Sequence, residues 1–258
     1  MFLDRRQFLS GLPALMPAAA AAADAPARTS LYAFEQFFLE QGSQPTRIHD
    51  FFSKALLPAL DRVHKGPRIF LEAVMAPHMP QVAAILGLQS AEQVFSIGKA
   101  LFADKEFIRA FDQWEAGEPP YVSANAALFE ATDFSPEIAA PDKPPSTPRY
   151  FELRSYHSPT SRQAKLLQER FAGAEIKIFH RAGVNPILYA TTVFGVNRPS
   201  LNYLIPFDSL AAREKAWAAF AADEEWVRVR KESIDRGGQL SAVQNISIWR
   251  ATPYSPIR

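Results

Sequence analysis

The sequence has no cysteine and little glycine. None of its 258 residues is cysteine and only 11 are glycine. The lack of cysteine excludes disulfides, a thiol nucleophile and a thiolate metal site. We also find no glycine-rich phosphate loop and no serine-centred nucleophile elbow. Nucleotide binding and serine hydrolysis of those kinds therefore have no support in the sequence.

The sequence also lacks a charge excess. Its 28 basic and 27 acidic residues leave a formal net charge of +1. No basic run is present, so we predict no nucleic-acid partner. The five histidines fall in no recognised ligand spacing and the acidic residues are spread along helices, so we predict no metal site. The hydrophobic share of 48% is ordinary for a globular protein with a sizeable core.

The first 23 residues have the pattern of a signal peptide. Arg5 and Arg6 precede an apolar, alanine-rich run, Phe8–Ala23, that ends in small residues. The run is too short to span a bilayer well, so we predict no stable membrane span. The order of residues in Asp4–Ser10 resembles a bacterial twin-arginine export signal. We therefore expect a periplasmic or secreted protein, with a general secretory signal as the alternative.

The rest of the chain has the same order of predicted elements twice. The block Asp104–Phe107 resembles Asp223–Trp226 at an offset of 119 residues, and Pro67 and Pro186 share that offset. A proline-dense stretch at 133–148 separates the halves and is predicted to be an extended linker. We assign residues 30–132 and 149–251 to the two halves.

Each half is predicted to run strand, helix, strand, strand, helix, strand. The predicted strands are Leu31–Leu39, Arg68–Met75, Gln81–Leu86, Ala124–Glu130, Tyr150–His157, Ile187–Phe194, Leu201–Phe207 and Val243–Arg250. The predicted helices are Thr46–His64, Ala91–Trp114, Pro159–Ala182 and Leu210–Arg236. Ser158 and Ser209 are the expected N-caps, and Gly183 is the expected C-terminal stop.

This element order is the ferredoxin-like βαββαβ pattern, which makes a four-stranded antiparallel sheet with both helices on one face. The other face of each sheet is then uncovered and partly apolar. We predict an α+β fold in which the two sheets pack face to face, forming an α/β barrel within one chain. The alternative is a homodimer in which each half pairs with its twin.

The stretch Tyr150–His157 alternates strictly, as a strand does. Phe151 and Leu153 share one face, which we predict to lie under helices. Glu152, Arg154 and Tyr156 share the other face, which we predict to look toward the second sheet or a cavity.

Three blocks of the second half resemble the NIPSNAP family. Residues 151–156, Phe-Glu-Leu-Arg-Ser-Tyr, resemble the family's opening Tyr-Glu-Leu-Arg-Thr-Tyr. Phe207–Glu214 resembles the family's turn into its second helix. Ala221–Trp226 resembles the Asp-Pro-Glu-Trp that ends that region, with Glu224 in place of proline. The resemblance covers about residues 149–251; the first half is a weaker relative.

The resemblance implies the dimeric α/β-barrel fold, shared with small monooxygenases, haem-degrading enzymes, muconolactone isomerases and chlorite-dismutase-like haem proteins. NIPSNAP proteins themselves have no settled catalytic activity, so the sequence leaves open whether the protein is an enzyme. Our first hypothesis is an exported small-molecule-binding or structural barrel. The alternatives are a cofactor-independent monooxygenase or isomerase acting on an apolar or aromatic substrate, and a haem-binding barrel.

The candidate ligand-binding residues lie on the predicted strands. Arg154 could anchor an anionic group and Glu152 could serve as a base or orient the ligand, with Tyr156 beside them. The competing interpretation is a structural ion pair between the two sheets. Tyr189 and Tyr203 are further candidates for the same cavity, although aromatic residues in strands mostly belong to cores.

No cofactor is predicted from the residues. Haem is kept as an alternative by analogy with superfamily relatives, with His180 and His64 as candidate ligands. Each lies near the end of a predicted helix, where a protonated imidazole would favourably meet the helix dipole. The expected ligand is otherwise a small apolar or anionic molecule.

Overall fold

The computed structural model describes residues 28–140, 143 and 145–258, so the predicted signal peptide lies outside the described residues. The chain forms eight strands. They are β1 Leu31–Phe38, β2 Arg68–Met75, β3 Gln81–Leu88, β4 Ser123–Ala131, β5 Tyr150–His157, β6 Leu188–Phe194, β7 Ser200–Phe207 and β8 Val243–Ala251. All eight lie within a residue or two of the strands predicted from the sequence.

Helices connect the strands in each half. In the first half they are α1 Ser43–Phe51, α2 Leu57–Val63, α3 Glu92–Ala103 and α4 Lys105–Glu115. In the second half they are α5 Ser161–Arg170, α6 Ile176–Ala182, α7 Leu210–Ala222 and α8 Glu224–Gly237. A π-helical segment joins the first two helices of each half, at Phe52–Leu56 and at Phe171–Glu175.

Acidic residues divide two helices that we predicted to be continuous. Asp104 has an extended backbone and accepts hydrogen bonds from the backbone N–H groups of Glu106 and Phe107, so it ends α3 and caps α4. Asp223 does the same between α7 and α8. The Asp223 side chain therefore begins a new helix and is not part of a turn within one helix.

The predicted caps are partly confirmed. Ser209 accepts a hydrogen bond from the N–H of Ala212, at 3.0 Å, and Gly183 ends α6 in the left-handed conformation. The prediction for Ser158 is wrong, because Thr160 is the residue that caps α5, by accepting from the N–H of Gln163. The helix begins at Ser161, two residues later than the predicted Pro159, so its cap also lies two residues later.

The strands close into one barrel, in the order β1-β3-β2-β8-β5-β7-β6-β4. Each half contributes four neighbouring strands, and the halves join at two seams, β2 with β8 and β4 with β6. All the pairings are antiparallel, so equivalent strands such as β1 and β5 run in the same direction. This architecture confirms the predicted fold class, with the barrel formed within one chain.

The core has three layers. One apolar cluster lies between the first sheet and its helices, one fills the barrel interior, and one lies between the second sheet and its helices. The linker at 133–148 contains no helix or strand among the residues described there. Its Phe134 side chain packs against Phe171 and Tyr189, which ties it to the second half.

The prediction of which face of β5 meets the helices is wrong. Phe151 belongs to the cluster inside the barrel, and Leu153 packs against that cluster. Tyr156 belongs instead to the cluster under the second-half helices. The alternation of β5 was therefore correct, but its apolar row faces the lumen and its polar row faces the helices.

Candidate functional site

The barrel has a cavity of about 550 Å³ at the end where β1 and β5 terminate, which we call the mouth. Its apolar floor consists of Phe34, Phe129, Leu153 and Trp249. Its amide side chains are Gln36, Asn125, Asn197, Asn202, Gln244 and Asn245, and its hydroxyls are Ser155, Thr192 and Ser247. Ala76, Pro77, Ala126, Ala127, Gly195, Val196 and Ile246 complete the lining.

The opposite end of the lumen is packed solid by side chains. Tyr32, Phe151, Leu188 and Ile257 are all buried in the interior cluster there. Ile257, which follows β8, is only 4% exposed. A molecule can therefore occupy the lumen only from the mouth.

The floor of the cavity is aromatic and rigid. The rings of Phe34 and Phe129 are stacked with their centroids 5.8 Å apart. Trp249 is 1% exposed, and its indole Nε1–H donates to the hydroxyl oxygen of Ser247 at 2.7 Å. The indole is thus fixed in place, and the Ser247 hydroxyl, which uses a lone pair here, can still donate its proton toward a ligand.

A hydrogen-bonded network holds the polar wall. The Ser155 hydroxyl donates to the side-chain oxygen of Asn202. The Asn202 Nδ2 group donates to Thr192 Oγ1 at 2.9 Å and to the carbonyl oxygen of Ala190 at 3.3 Å. Because the Asn202 amide is bonded at both ends, the wall is preorganised and presents the Ser155 oxygen as an acceptor.

The described lining of this cavity contains no ionisable side chain: its polar groups are amides and hydroxyls only. General acid or base catalysis needs a group that gains or loses a proton near neutral pH. The lining residues supply no such group. They are suited to holding an uncharged molecule through one or two hydrogen bonds and apolar contacts.

Glu152 lies on the other side of the strand and is fully buried under α7. One carboxylate oxygen accepts from Arg154 at 2.7 Å, and the other accepts from Arg213 Nε at 2.7 Å and from Trp217 Nε1 at 2.9 Å. The competing interpretation of Glu152 and Arg154 from the sequence is an ion pair that joins the two sheets. The structure corrects this, because the pair joins the second sheet to its own helix layer.

Arg154 shares that environment. Its guanidinium carbon lies 4.2 Å from the centroid of the Trp217 ring and 5.4 Å from that of Tyr156. The residue is 8% exposed. No described cavity adjoins this guanidinium, so the predicted anchoring of an anionic ligand stays a prediction without geometric support.

The three candidate tyrosines do come together, but within the helix-covered core. The Tyr203 ring lies 5.3 Å from that of Tyr156 and 5.8 Å from that of Tyr189. Burial raises the pKa of all three hydroxyls above the ordinary value. They stay neutral at physiological pH and pack as aromatic core groups rather than lining the mouth cavity.

Glu175 belongs to the same core and was missed by the sequence reasoning. It ends the π-helical segment, is 1% exposed, and accepts from Arg170 Nε at 2.7 Å. Burial raises its pKa to about 7, although the positive charges of Arg170 and Arg154 act in the opposite direction. The helical periodicity of the sequence did not indicate this burial, because the inserted π-turn shifts which helical residues point inward.

Neither candidate histidine lies at the mouth cavity. His180 is exposed near the end of α6. His64 follows α2 and is 4% exposed, and its Nε2 atom has no hydrogen-bond partner among the described residues. Burial and the nearby Arg68 charge lower its pKa to about 4. The haem alternative for His180 and His64 stays a prediction.

The lining residues were missed for a simple reason: we assigned the lumen to the wrong row of β5. Ser155 lies on the same row as Phe151 and Leu153. In the ladder it pairs with Asn202 on one side and Asn245 on the other. That these neutral polar residues lie at one level of three adjacent strands follows from the strand register, which the sequence does not show.

Comparison with known proteins finds the NIPSNAP resemblance in the second half of the chain. The NIPSNAP family model matches residues 151–256. A NIPSNAP family protein of unknown function from Agrobacterium tumefaciens has 18% identity and a TM-score of 0.39, covering 44% of this chain and 97% of its own. No curated protein matches the chain.

Two solved structures resemble the whole barrel. An anthrone oxidase-like protein has 12% identity and a TM-score of 0.52, and the match covers 87% of this chain and 92% of that one. A chlorite dismutase variant from Candidatus Nitrospira defluvii has 8% identity and a TM-score of 0.51, with 88% and 92% covered. At such identities the likeness shows the shared fold only.

In the part of the chain that the structure describes, every helix is too short or too polar to cross a membrane.

Proposed function

From the premise that residues 151–256 are a NIPSNAP domain, we propose that the chain binds a small, uncharged, mainly apolar molecule in the mouth cavity. The supporting observation is the cavity itself, which combines an aromatic floor with amide and hydroxyl groups and has no charged side chain. Its volume of about 550 Å³ is within the ordinary range for small-molecule sites.

The binding role is better supported than the enzyme alternative. A small-barrel monooxygenase or isomerase would need groups at the cavity that promote its chemistry, and the lining residues provide no acid or base. The Glu152–Arg154 pair is separated from the cavity by the sheet, since both side chains point to the helix layer. We therefore assign that pair to structure and the lumen to ligand binding.

The test is native mass spectrometry of the mature protein purified from its own exporting host, compared with the same sample after denaturation. We expect a retained small molecule that denaturation releases. Ser247→Phe should abolish retention, because the ring would occupy the cavity above Leu153, its partner in the ladder. Ser247→Ala is the matched control, which removes the hydroxyl without filling space and should weaken retention only. An empty wild-type protein would contradict the proposal.

We also propose that residues 1–23 direct bacterial export by the twin-arginine route. The support is the order of residues around Arg5 and Arg6 and the apolar run that follows. Fusing this segment to a reporter should carry the reporter out of the cytoplasm, and replacing both arginines by lysine should stop export. Continued export of the double-lysine variant would favour the general secretory route.

A further inference from the structure

Strand β8 has a free edge beside the mouth. It pairs with β5 along its length, from Val243 to Arg250, but its other neighbour, β2, pairs only with residues from Ile248 onward. Residues 243–247 therefore have no described strand on that side. Alternate residues of such an edge point unpaired backbone N–H and C=O groups outward, ready to pair with another strand.

The free edge is short and follows a register shift in the β2–β8 ladder, but its side chains offer no protection against pairing. Its sequence, Val-Gln-Asn-Ile-Ser, has no charge and no proline. Val243 is 51% exposed and Ile246 is 42% exposed. Protected edges normally carry lysine, proline or a covering segment, so an uncharged edge with exposed β-branched side chains favours a partner strand.

Exposed apolar side chains gather at the same end of the barrel. They lie at the ends of β2 and β6, in the hairpin loops that follow these strands, and just before β4: Val74, Met75, Met79, Phe194, Val196 and Val122. Outside this end, Phe95, Leu210 and Val227 are the large hydrophobic residues described as exposed. A concentrated apolar surface of this kind marks an interaction site.

We propose that the occupant of this surface is a second copy of the chain, paired through residues 243–247 of β8. An antiparallel pair of identical strands is related by a two-fold axis, so a single edge is complementary to itself. The edge is uncharged, so two copies meet without like-charge repulsion. The pairing also continues a ladder that the barrel already contains, in which β8 bonds to β5.

The partner strand would complete the mouth cavity. Gln244, Asn245, Ile246 and Ser247 line the cavity as well as forming the free edge. On the far side of the gap between residues 243–247 and the end of β2, the lining continues with Ala76 and Pro77. A second β8 laid against the first covers this open side, so the partner copy contributes to the wall of the site. This last point rests on the proposed ligand-binding function, whereas the dimer itself does not.

The experiment is sedimentation velocity of the mature protein over an about hundredfold dilution range, because an assembly of copies must dissociate on dilution. We expect wild type to be dimeric at the concentrated end, and Val243→Lys/Ile246→Lys to be monomeric throughout. Phe95→Lys, which changes a similarly exposed apolar residue on α3, should leave the dimer unchanged. Thermal unfolding of each variant checks that the fold is intact.

Hydrogen exchange locates the contact. Amides in residues 243–247 should become more protected as wild-type concentration rises, and those in the Phe95 region should not. A wild type that is monomeric at every concentration, or a dimer that survives Val243→Lys/Ile246→Lys, would overturn the proposal, as would a monomer that pairs only with another protein's extended peptide. A dimer that retains no small molecule upholds the interface and removes the ligand-binding function.

Discussion

The two halves of the molecule have the same sheet and helix arrangement but opposite chemistry between the sheet and its helices. Their strands correspond in register: Glu35 faces Ala84 and Ala126, and Arg154 faces Tyr203 and Ile246 at the same positions of the second half. Glu35 therefore occupies the position of Arg154 and not that of Glu152.

In this register, two buried positions carry a carboxylate in the second half and an apolar side chain in the first. Glu152 corresponds to Ala33, and the buried Glu175 corresponds to Leu56, the last residue of the first-half π-segment. The second half therefore has buried carboxylates at two positions where the first half has apolar side chains, although both layers are rich in aromatic residues. A row of polar side chains on one face of a strand can be part of a packed core. Polar side chains on a strand therefore do not identify the face that binds a ligand.

The variant expected to have the largest effect is Glu152→Ala, which removes a buried carboxylate that the first half lacks at the corresponding position. Removing this carboxylate leaves the buried Arg154 without its carboxylate partner and takes one of two carboxylates from the partly exposed Arg213. We expect this to lower the free energy of unfolding, measured in urea, by about 3–5 kcal/mol. Glu214→Ala is the control, because that carboxylate also contacts Arg213 but is 74% exposed, and its loss should cost under about 1 kcal/mol. Equal effects would contradict the structural role of Glu152.

A second pair of variants tests what the halves share. Phe52 and Phe171 each begin a π-helical segment, and both are fully buried. We expect Phe→Ala at either position to cost about 3–5 kcal/mol, because each leaves a large cavity under its own helices. Chemical unfolding measures both. A small effect at Phe52 alone would mean that the core of the first half relaxes further into the cavity than the core of the second half does.

The third test uses pH. Because the pKa of Glu175 is raised in the folded protein to about 7, its stabilising contribution is fully present below the unfolded value of about 4.5. That contribution is lost as pH rises through 7, by at most about 1.4 kcal/mol per pH unit.

Glu175→Gln should remove this pH dependence, since the amide does not titrate. The measurement is the difference in unfolding free energy between wild type and variant from pH 4.5 to 8. Leu56 occupies the equivalent position in the first half, so Leu56→Gln serves as a control that should give a pH-independent difference from wild type. A flat wild-type-minus-Glu175→Gln curve would show that Arg170 keeps Glu175 ionised throughout.

The smallest expected effect concerns helix capping. The first helix of the second half is capped by the Thr160 side chain, whereas that of the first half begins at Gly42 without a side-chain cap. Thr160→Ala should cost about 1 kcal/mol. Ser158→Ala is the comparison, and it should cost less if Thr160 is the cap. Thermal unfolding distinguishes the two.

Much of this fold was predictable because local patterns determine it. The repeated order of predicted elements located all eight strands, and Ser209 and Gly183 marked helix ends correctly. Asp104 and Asp223 were harder to interpret, because an acidic residue inside an apolar stripe looks the same whether it caps a new helix or lies on an exposed face. Only the observed backbone at these positions distinguishes the two.

The candidate site was less predictable. The side chains of β5 were correctly divided into two rows, but Glu152 and Arg154 drew attention through their charge, while Ser155 and Ser247, which line the cavity, looked unremarkable. Long-range pairing brings Ser155, Asn202 and Asn245 to one level of the barrel. No local pattern contains that information.

The sequence by itself determined the order of the elements, the resemblance of the second half to the NIPSNAP family and the alternation within β5, because these depend on residues close together in the chain. The tertiary structure alone decided which row of each strand faces the lumen, since that depends on which side the helices pack. It also decided that one end of the barrel is filled and the other open. Barrel closure unites residues more than a hundred positions apart, such as Phe34 and Trp249, in one cavity.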